Sequence, residues 1–179
     1  MSTQVQINPL ANLEFIPYIT QSGDLDQEFQ GQIGVYAIFN QKQEMQYVGY
    51  SRDVYSSLRQ HLIRQPENCY WVKVQTIARP SRSVLEEISS SWMQENGSTP
   101  PGNGAQKPLW TEPIDANLAM TEAEKAQYQQ SDEGNQRKMR KAVARRVQGE
   151  IKSQLSDRGI KMSLRFNPKL KEKGLLDLQ

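Results

Sequence analysis

Apolar positions along this chain fall into short groups, and their spacing switches from two residues to about 3.6 and back. GVYAIF (34–39) and MQYVGYS (45–51) are rich in β-formers, with the polar residues Asn40 to Glu44 between them, which predicts a hairpin. Asp53 then stands where an N-cap belongs. Val54, Leu58 and Leu62 follow at i, i+4 and i+8, predicting a helix to about Ile63 that Pro66 ends. WVKVQTIA (71–78) alternates as a third strand. Ser81 can cap a second helix, SRSVLEEISSSWMQE, with Val84, Leu85, Ile88 and Trp92 as its apolar stripe.

Further on, GSTPPGNGAQKPLWTEP is too rich in glycine and proline for regular structure and reads as an ordered loop or a linker. MTEAEKAQYQQ predicts a short helix, with Thr121 as cap and Glu124 at the capping-box position. From about Asn135 to Leu155 the pattern is helical again: Val143, Val147, Ile151 and Leu155 share one stripe, and Gly159 is a helix stop. MSLRF (162–166) is strand-like, and KLKEKGLLDLQ reads as a tail. LEFIPYIT (13–20) is expected to pack on the body. No internal repeat is visible. The chain thus divides into an N-terminal segment (1–30), an α+β body (31–104), a linker with a short helix (105–134) and a basic helical C-terminal extension (135–179).

Composition refines this picture. Hydrophobic residues are 36% and mean hydropathy is −0.75, which predicts a modest core with extended solvated segments. There is no apolar run of about 18 residues and no basic-then-apolar leader, so no membrane span or secretion signal is expected. The single Cys69 can form no internal disulfide and has no second cysteine for a zinc knuckle; beside an aromatic pair it is expected to be buried and inert. A reduced, cytoplasmic protein follows. The net charge of +2 hides an asymmetry: Arg137 to Lys173 holds 13 basic against 3 acidic residues, leaving 9 basic and 17 acidic elsewhere. Arg137, Lys138, Arg140, Lys141, Arg145, Arg146 and Lys152 could lie along a duplex, binding DNA or another nucleic acid in a salt-dependent, sequence-indifferent way. The same face could dock on an acidic protein, or simply be a solvated helix face. No zinc ligands and no clear helix-turn-helix accompany it.

Gly34-Val35-Tyr36 and Tyr47-Val48-Gly49, eleven residues apart from tyrosine to tyrosine, resemble the two halves of the GIY-YIG nuclease signature, and Ser51-x-Asp53-x(4)-Leu58-x-x-His61 is similar to the helix that trails it. Glu87 or Glu86 on the second helix and Asn103 in PPGNG would complete the set. The resemblance covers about residues 31 to 104. It implies a small three-stranded antiparallel sheet flanked by helices, and a metal-dependent endonuclease hydrolysing DNA phosphodiesters. It also implies Tyr36 as general base, Tyr47 orienting the reacting groups, a helix arginine stabilising the transition state, and a glutamate holding Mg²⁺ or Mn²⁺. A phenol with a pKa near 10 would need a neighbouring cation to serve as a base at neutral pH.

One position departs from the pattern. Ten residues after Tyr47, where the family has its arginine, stands Ser57. Arg59 is the nearest arginine, rotated about 200° around the helix from Ser57. A serine cannot stabilise a dianionic transition state as a guanidinium does. Either another cation substitutes (Arg52, Arg59, Arg79 or Arg82) or the site no longer cleaves and the same fold binds nucleic acid or a protein through its basic helix. The plain structural alternatives are two sheet tyrosines packed under helices, a hydrogen-bonded His61, exposed glutamates and an Asn103 that shapes a turn.

Overall fold

The computed structural model describes residues 5–179, and in it the chain forms two compact units, one running to Thr111 and the other over Glu112–Gln179. In the first, β1 (Ile16–Pro17), β2 (Ile33–Phe39), β3 (Met45–Ser51) and β4 (Trp71–Ile77) build an antiparallel sheet in the order β1-β4-β2-β3. The expected three-stranded sheet is therefore corrected to four strands. Ile16 and Pro17, from the segment expected only to pack, pair with Val72 and Trp71. Proline is tolerated there because an edge strand can leave one N–H side unpaired.

β2 is the centre of the sheet and is buried from Gly34 to Phe39. Its side chains alternate between faces. Val35, Ala37 and Phe39 join Met45, Val48, Leu85, Ile88 and Trp92 in the core beneath α2 (Arg82–Asn96). The other face, which carries Tyr36, is covered by α1 (Val54–Arg64) through the fully buried Val54, Leu58 and Leu62. Both helices start where the sequence puts their caps: Asp53 accepts from the Ser56 amide and Ser81 from the Val84 amide.

Polar clamps fasten the N-terminal segment beside α2. The Gln75 side chain accepts from the Asn8 amide and donates to the Gln6 carbonyl, while Trp92 Nε1 donates to the Asn8 carbonyl at 2.9 Å. Lys73 Nζ donates to the Leu10 carbonyl at 2.8 Å and sits 4.1 Å from the Phe15 ring centroid. Each buried polar group on that face thereby finds a partner that the sheet itself cannot supply. Beyond α2, the stretch expected to lack regular structure makes a 3-10 turn at Pro101–Asn103 and a short helix, α3 (Lys107–Thr111), whose Trp110 is fully buried.

The second unit holds β5 (Ile114–Asp115), α4 (Glu122–Gln130), α5 (Glu133–Asp157), α6 (Pro168–Lys171) and β6 (Leu175–Leu176). Thr121 and Glu124 form the expected capping box. The strand expected at MSLRF reduces to a single bridge between Phe166 and Leu178, and the expected tail is core instead. Leu176 and Leu178, two apart, bury the same face, and β6 pairs with β5. The stretch 105–134, read as linker and short helix, is divided between the two units.

Gly149 lies inside α5 on an exposed face, and a Cβ there would meet nothing within 4 Å. Gly149→Ala is expected to raise stability by about 0.5–1 kcal/mol through reduced chain entropy. The denaturation midpoint of the variant checks this, and a lower midpoint would mean that the α5 surface at 149 is not open.

Candidate functional site

Tyr36 and Tyr47 come from paired strands. Tyr36 lies opposite Gly49 and Tyr47 opposite Ile38, so both tyrosines stand on the α1 side of the sheet, with ring centroids 6.2 Å apart. His61 of α1 brings its Nε2 within 2.8 Å of the Tyr36 hydroxyl. Trp110 stacks on Tyr47, centroids 5.4 Å apart and planes 5° from parallel, and its ring also meets His61. Arg64 Nη1 donates to the Trp110 carbonyl at 3.0 Å and holds α3 in place. Most of the cluster is shielded: Tyr36 is 3% exposed, His61 4% and Trp110 0%, while Tyr47 is half-buried.

The glycines of the two tripeptides follow from this packing. A Cβ on Gly49 would come within 2.8 Å of the Tyr36 hydroxyl and 2.6 Å of the Tyr47 ring. A Cβ on Gly34 would meet the Gln75 carbonyl of β4 at 2.6 Å. Neither neighbour can give way easily, one being a buried ring and the other sheet backbone.

Burial sets the electrostatics. It pushes the Tyr36 phenol far above its ordinary value of 10, and the neighbouring Tyr47 adds to the shift. Tyr47 is raised as well, chiefly by burial. Burial, seconded by the positive charge of Arg64, lowers His61 from 6.5 to about 3. At neutral pH the hydrogen bond therefore joins two uncharged groups. His61 Nδ1 and Trp110 Nε1 are buried without a hydrogen-bond partner among the described residues. A general base works best with a pKa near the working pH and a path to water, and Tyr36 is moved away from both.

Of the remaining residues expected at the site, Ser57 faces the Tyr36 phenol and the others are not drawn to the tyrosines. Tyr50 pairs with Val35 and so faces α2, where its hydroxyl and Arg82 Nε both donate to Glu86 Oε1, at 3.2 and 2.7 Å. Glu86 is thus engaged on the opposite side of the sheet, because α2 packs on the Val35–Ala37 face. Its neighbour Glu87 is exposed. Neither glutamate therefore stands beside the tyrosines to give the Mg²⁺ or Mn²⁺ expectation its carboxylate, and among the described residues no group of three or more His, Cys, Asp or Glu is placed to hold a metal ion. Asn103 uses both amide atoms on Val48, accepting from its N–H and donating to its carbonyl, each at 2.8 Å. It completes the edge of β3 as a partner strand would. Ser57 donates to Ser51 Oγ at 2.7 Å. Arg59 lies over the Tyr55 ring, 5.9 Å from its centroid. The cation whose charge reaches Tyr36, Tyr47 and His61 is Arg64, which the sequence reading missed together with Trp110. The signal for Arg64 was present, since it follows His61 by three residues and shares its helix face.

Much of the basic helix is spent inside its own unit. Arg140 donates to the Glu172 carbonyl and to the Tyr128 hydroxyl, and Lys141 pairs with the Glu172 carboxylate at 3.4 Å. Arg146 grips Glu124 with both Nη atoms and the Ala119 carbonyl with Nη2, which holds the Glu124 carboxyl down at about 2. Lys152 lies over the Phe166 ring. Arg137, Lys138 and Arg145 stay exposed.

No family model matches the chain. Among curated proteins it is similar to the bifunctional monothiol glutaredoxin-S16, chloroplastic, of Arabidopsis thaliana, 34% identical over 105 residues that make up 56% of this chain and 31% of that protein. The chain therefore spans about a third of the length of the curated relative it matches. That relative is named for a glutaredoxin, and with it the GIY-YIG assignment, the DNA endonuclease and hydrolase chemistry and the magnesium or manganese dependence are corrected. The alternative of an inactive module that binds nucleic acid or protein through the basic helix finds no support either, and Arg140, Lys141 and Arg146 are engaged within their own unit. Among the described residues no helix is long and apolar enough to cross a membrane. The relative is named chloroplastic, which gives the cytoplasmic expectation no support.

The neutral His61 makes stability depend on pH. Its folded pKa lies near 3 against 6.5 ordinarily, so below about pH 6.5 the unfolded chain takes up a proton that the fold refuses. The contribution is whole above that pH and is lost as pH falls, by at most about 1.4 kcal/mol per pH unit. Urea unfolding of the protein and of His61→Gln, from neutral pH down to about pH 4, should show the stability gap between them shrinking at up to that slope. A constant gap would mean that His61 protonates inside the fold.

Proposed function

We propose that this chain is a small-molecule-binding module that works beside thiol-redox chemistry without supplying the thiol. The burial of Cys69 supports the part of this reading that withholds the thiol. Cys69 is the only cysteine of the sequence, it has no exposed surface, and its Sγ lies 3.6 Å from the His61 carbonyl, to which it donates. Glutaredoxin-type exchange needs a thiolate that can reach a substrate sulfur. A thiol sealed under α1 meets neither requirement.

The name of the relative carries two statements, bifunctional and monothiol glutaredoxin, and the match covers 31% of its length. A buried lone cysteine favours kinship with the function other than the monothiol one. In this reading Tyr36, Tyr47 and His61 form a rigid centre that fixes β3 and α1, and the ligand meets the surface these elements support. Cys69 needs no disulfide, so any compartment that keeps thiols reduced suits it; the cytoplasm stays a proposal beside the chloroplast named for the relative.

Reduction of a small mixed disulfide by a thiol donor, followed with the native protein and with Cys69→Ser, tests the reading. Neither should exceed the uncatalysed rate, and Ellman's reagent should titrate Cys69 only after denaturation. Turnover that disappears in Cys69→Ser would overturn it.

A further inference from the structure

We propose that the cavity on the α2 side of the sheet is a binding site for a small organic phosphate. The inference rests on the reading of the chain as a small-molecule-binding module and names its ligand class. The cavity has a volume of about 470 Å³, within the range of small-molecule sites. The end of β3 and the start of α2 wall it. Ile33 and Leu85 give it an apolar floor and Tyr50, 39% exposed, a flat aromatic wall.

Charge selects the ligand. Arg52 and Arg82 both line the cavity, and no carboxylate does. Arg82 gives its Nε to Glu86, and that carboxylate is held below its usual range by the pairing, so the pair is neutral as a whole. Arg52 stands exposed, with no salt-bridge partner among the described residues. The cavity therefore has one cationic charge to satisfy beside a second guanidinium that presents further N–H donors. A phosphate monoester suits this better than a carboxylate, because its three terminal oxygens can accept from both guanidinium groups at once. The apolar floor and the Tyr50 ring then suit a compact, flat organic body rather than bare phosphate.

Phenyl phosphate, inorganic phosphate and benzoate are the probes, titrated into the full chain and followed by calorimetry and by backbone amide shifts. Phenyl phosphate should saturate at millimolar concentration or below, more tightly than the other two, with the shifts centred on Tyr50, Arg52 and Leu85. Arg52→Ala, at an exposed position and with an unchanged thermal midpoint as control for folding, should weaken it about tenfold, the loss of one charge-assisted contact. Lack of saturation, affinity indifferent to Arg52→Ala, or shifts centred on Arg137, Lys138 and Arg145 of α5 would each overturn the proposal. Benzoate binding as tightly as phenyl phosphate would overturn the phosphate class. The two readings fail differently: disulfide reduction dependent on Cys69 sinks the module, whereas absent reduction with absent binding sinks the cavity alone.

Discussion

A tyrosine hydroxyl at the middle of a strand buried on both faces must find a hydrogen-bond partner, and the first unit is arranged around that requirement. An unpaired hydroxyl there would cost about 1–3 kcal/mol. Tyr36 meets it through His61, and the bond constrains everything near it. α1 must present its third turn to β2, so Asp53 has to start the helix where it does. Gly49 must lack a side chain, because the Tyr36 hydroxyl occupies that space across the ladder. His61 must stay uncharged, because an imidazolium so deeply buried would have no carboxylate to answer it. Trp110 closes the remaining side against Tyr47, and Arg64 ties it down by its carbonyl.

That chain of constraints explains how a sequence can carry residues that resemble a catalytic signature while the structure uses them for packing. Each motif residue has a structural occupation: Gly34 admits the β4 backbone, Gly49 admits Tyr36, Asn103 finishes the β3 edge, and Ser57 bonds Ser51. Of the two carboxylates that could have given the tyrosines a metal partner, Glu86 is on the other face of the sheet, engaged by Arg82 and Tyr50, and Glu87 is exposed. Two tripeptides at a fixed spacing say that the strands pair with the tyrosines on one face. They do not say what else reaches that face, since it depends on how two helices distribute themselves over the sheet.

The legible part of the fold was the part set by local pattern. Strand alternation and capping residues located β2, β3, β4, α1, α2 and α4 to within a residue or two, because period and cap are properties of adjacent positions. What escaped were contacts between distant segments. The pairing of Ile16–Pro17 with β4 depends on a partner more than fifty residues away, and a two-residue strand leaves no alternation to read. Trp110 sits in a stretch dominated by glycine and proline, whose composition signals a loop and hides that one side chain of it is core. The C-terminal leucines looked like a tail because lysines precede them, yet Leu176 and Leu178 are buried and paired. For the site, tyrosines and histidine were legible as neighbours; the burial of Tyr36 and His61 was not, because burial is a property of what covers a residue.

The charge pattern teaches a related lesson. A local excess of lysine and arginine is a statement about sequence distance, while electrostatic work depends on what each cation faces. In α5 the cations at 140, 141 and 146 face two carbonyls, a phenol and two carboxylates of their own unit and act as its fasteners. Around β3 and α2 the count is small, yet Arg52 and Arg82 share one cavity with no acid in its lining. A cation whose neighbours already neutralise it gives a ligand little, because binding must first break that pairing. One that stands in an apolar-floored cavity without a partner gives the full charge-assisted contact. By that criterion the fastened cations of α5 offer an anion less than Arg52 does, and the exposed Arg137, Lys138 and Arg145 lack the cavity that Arg52 lines.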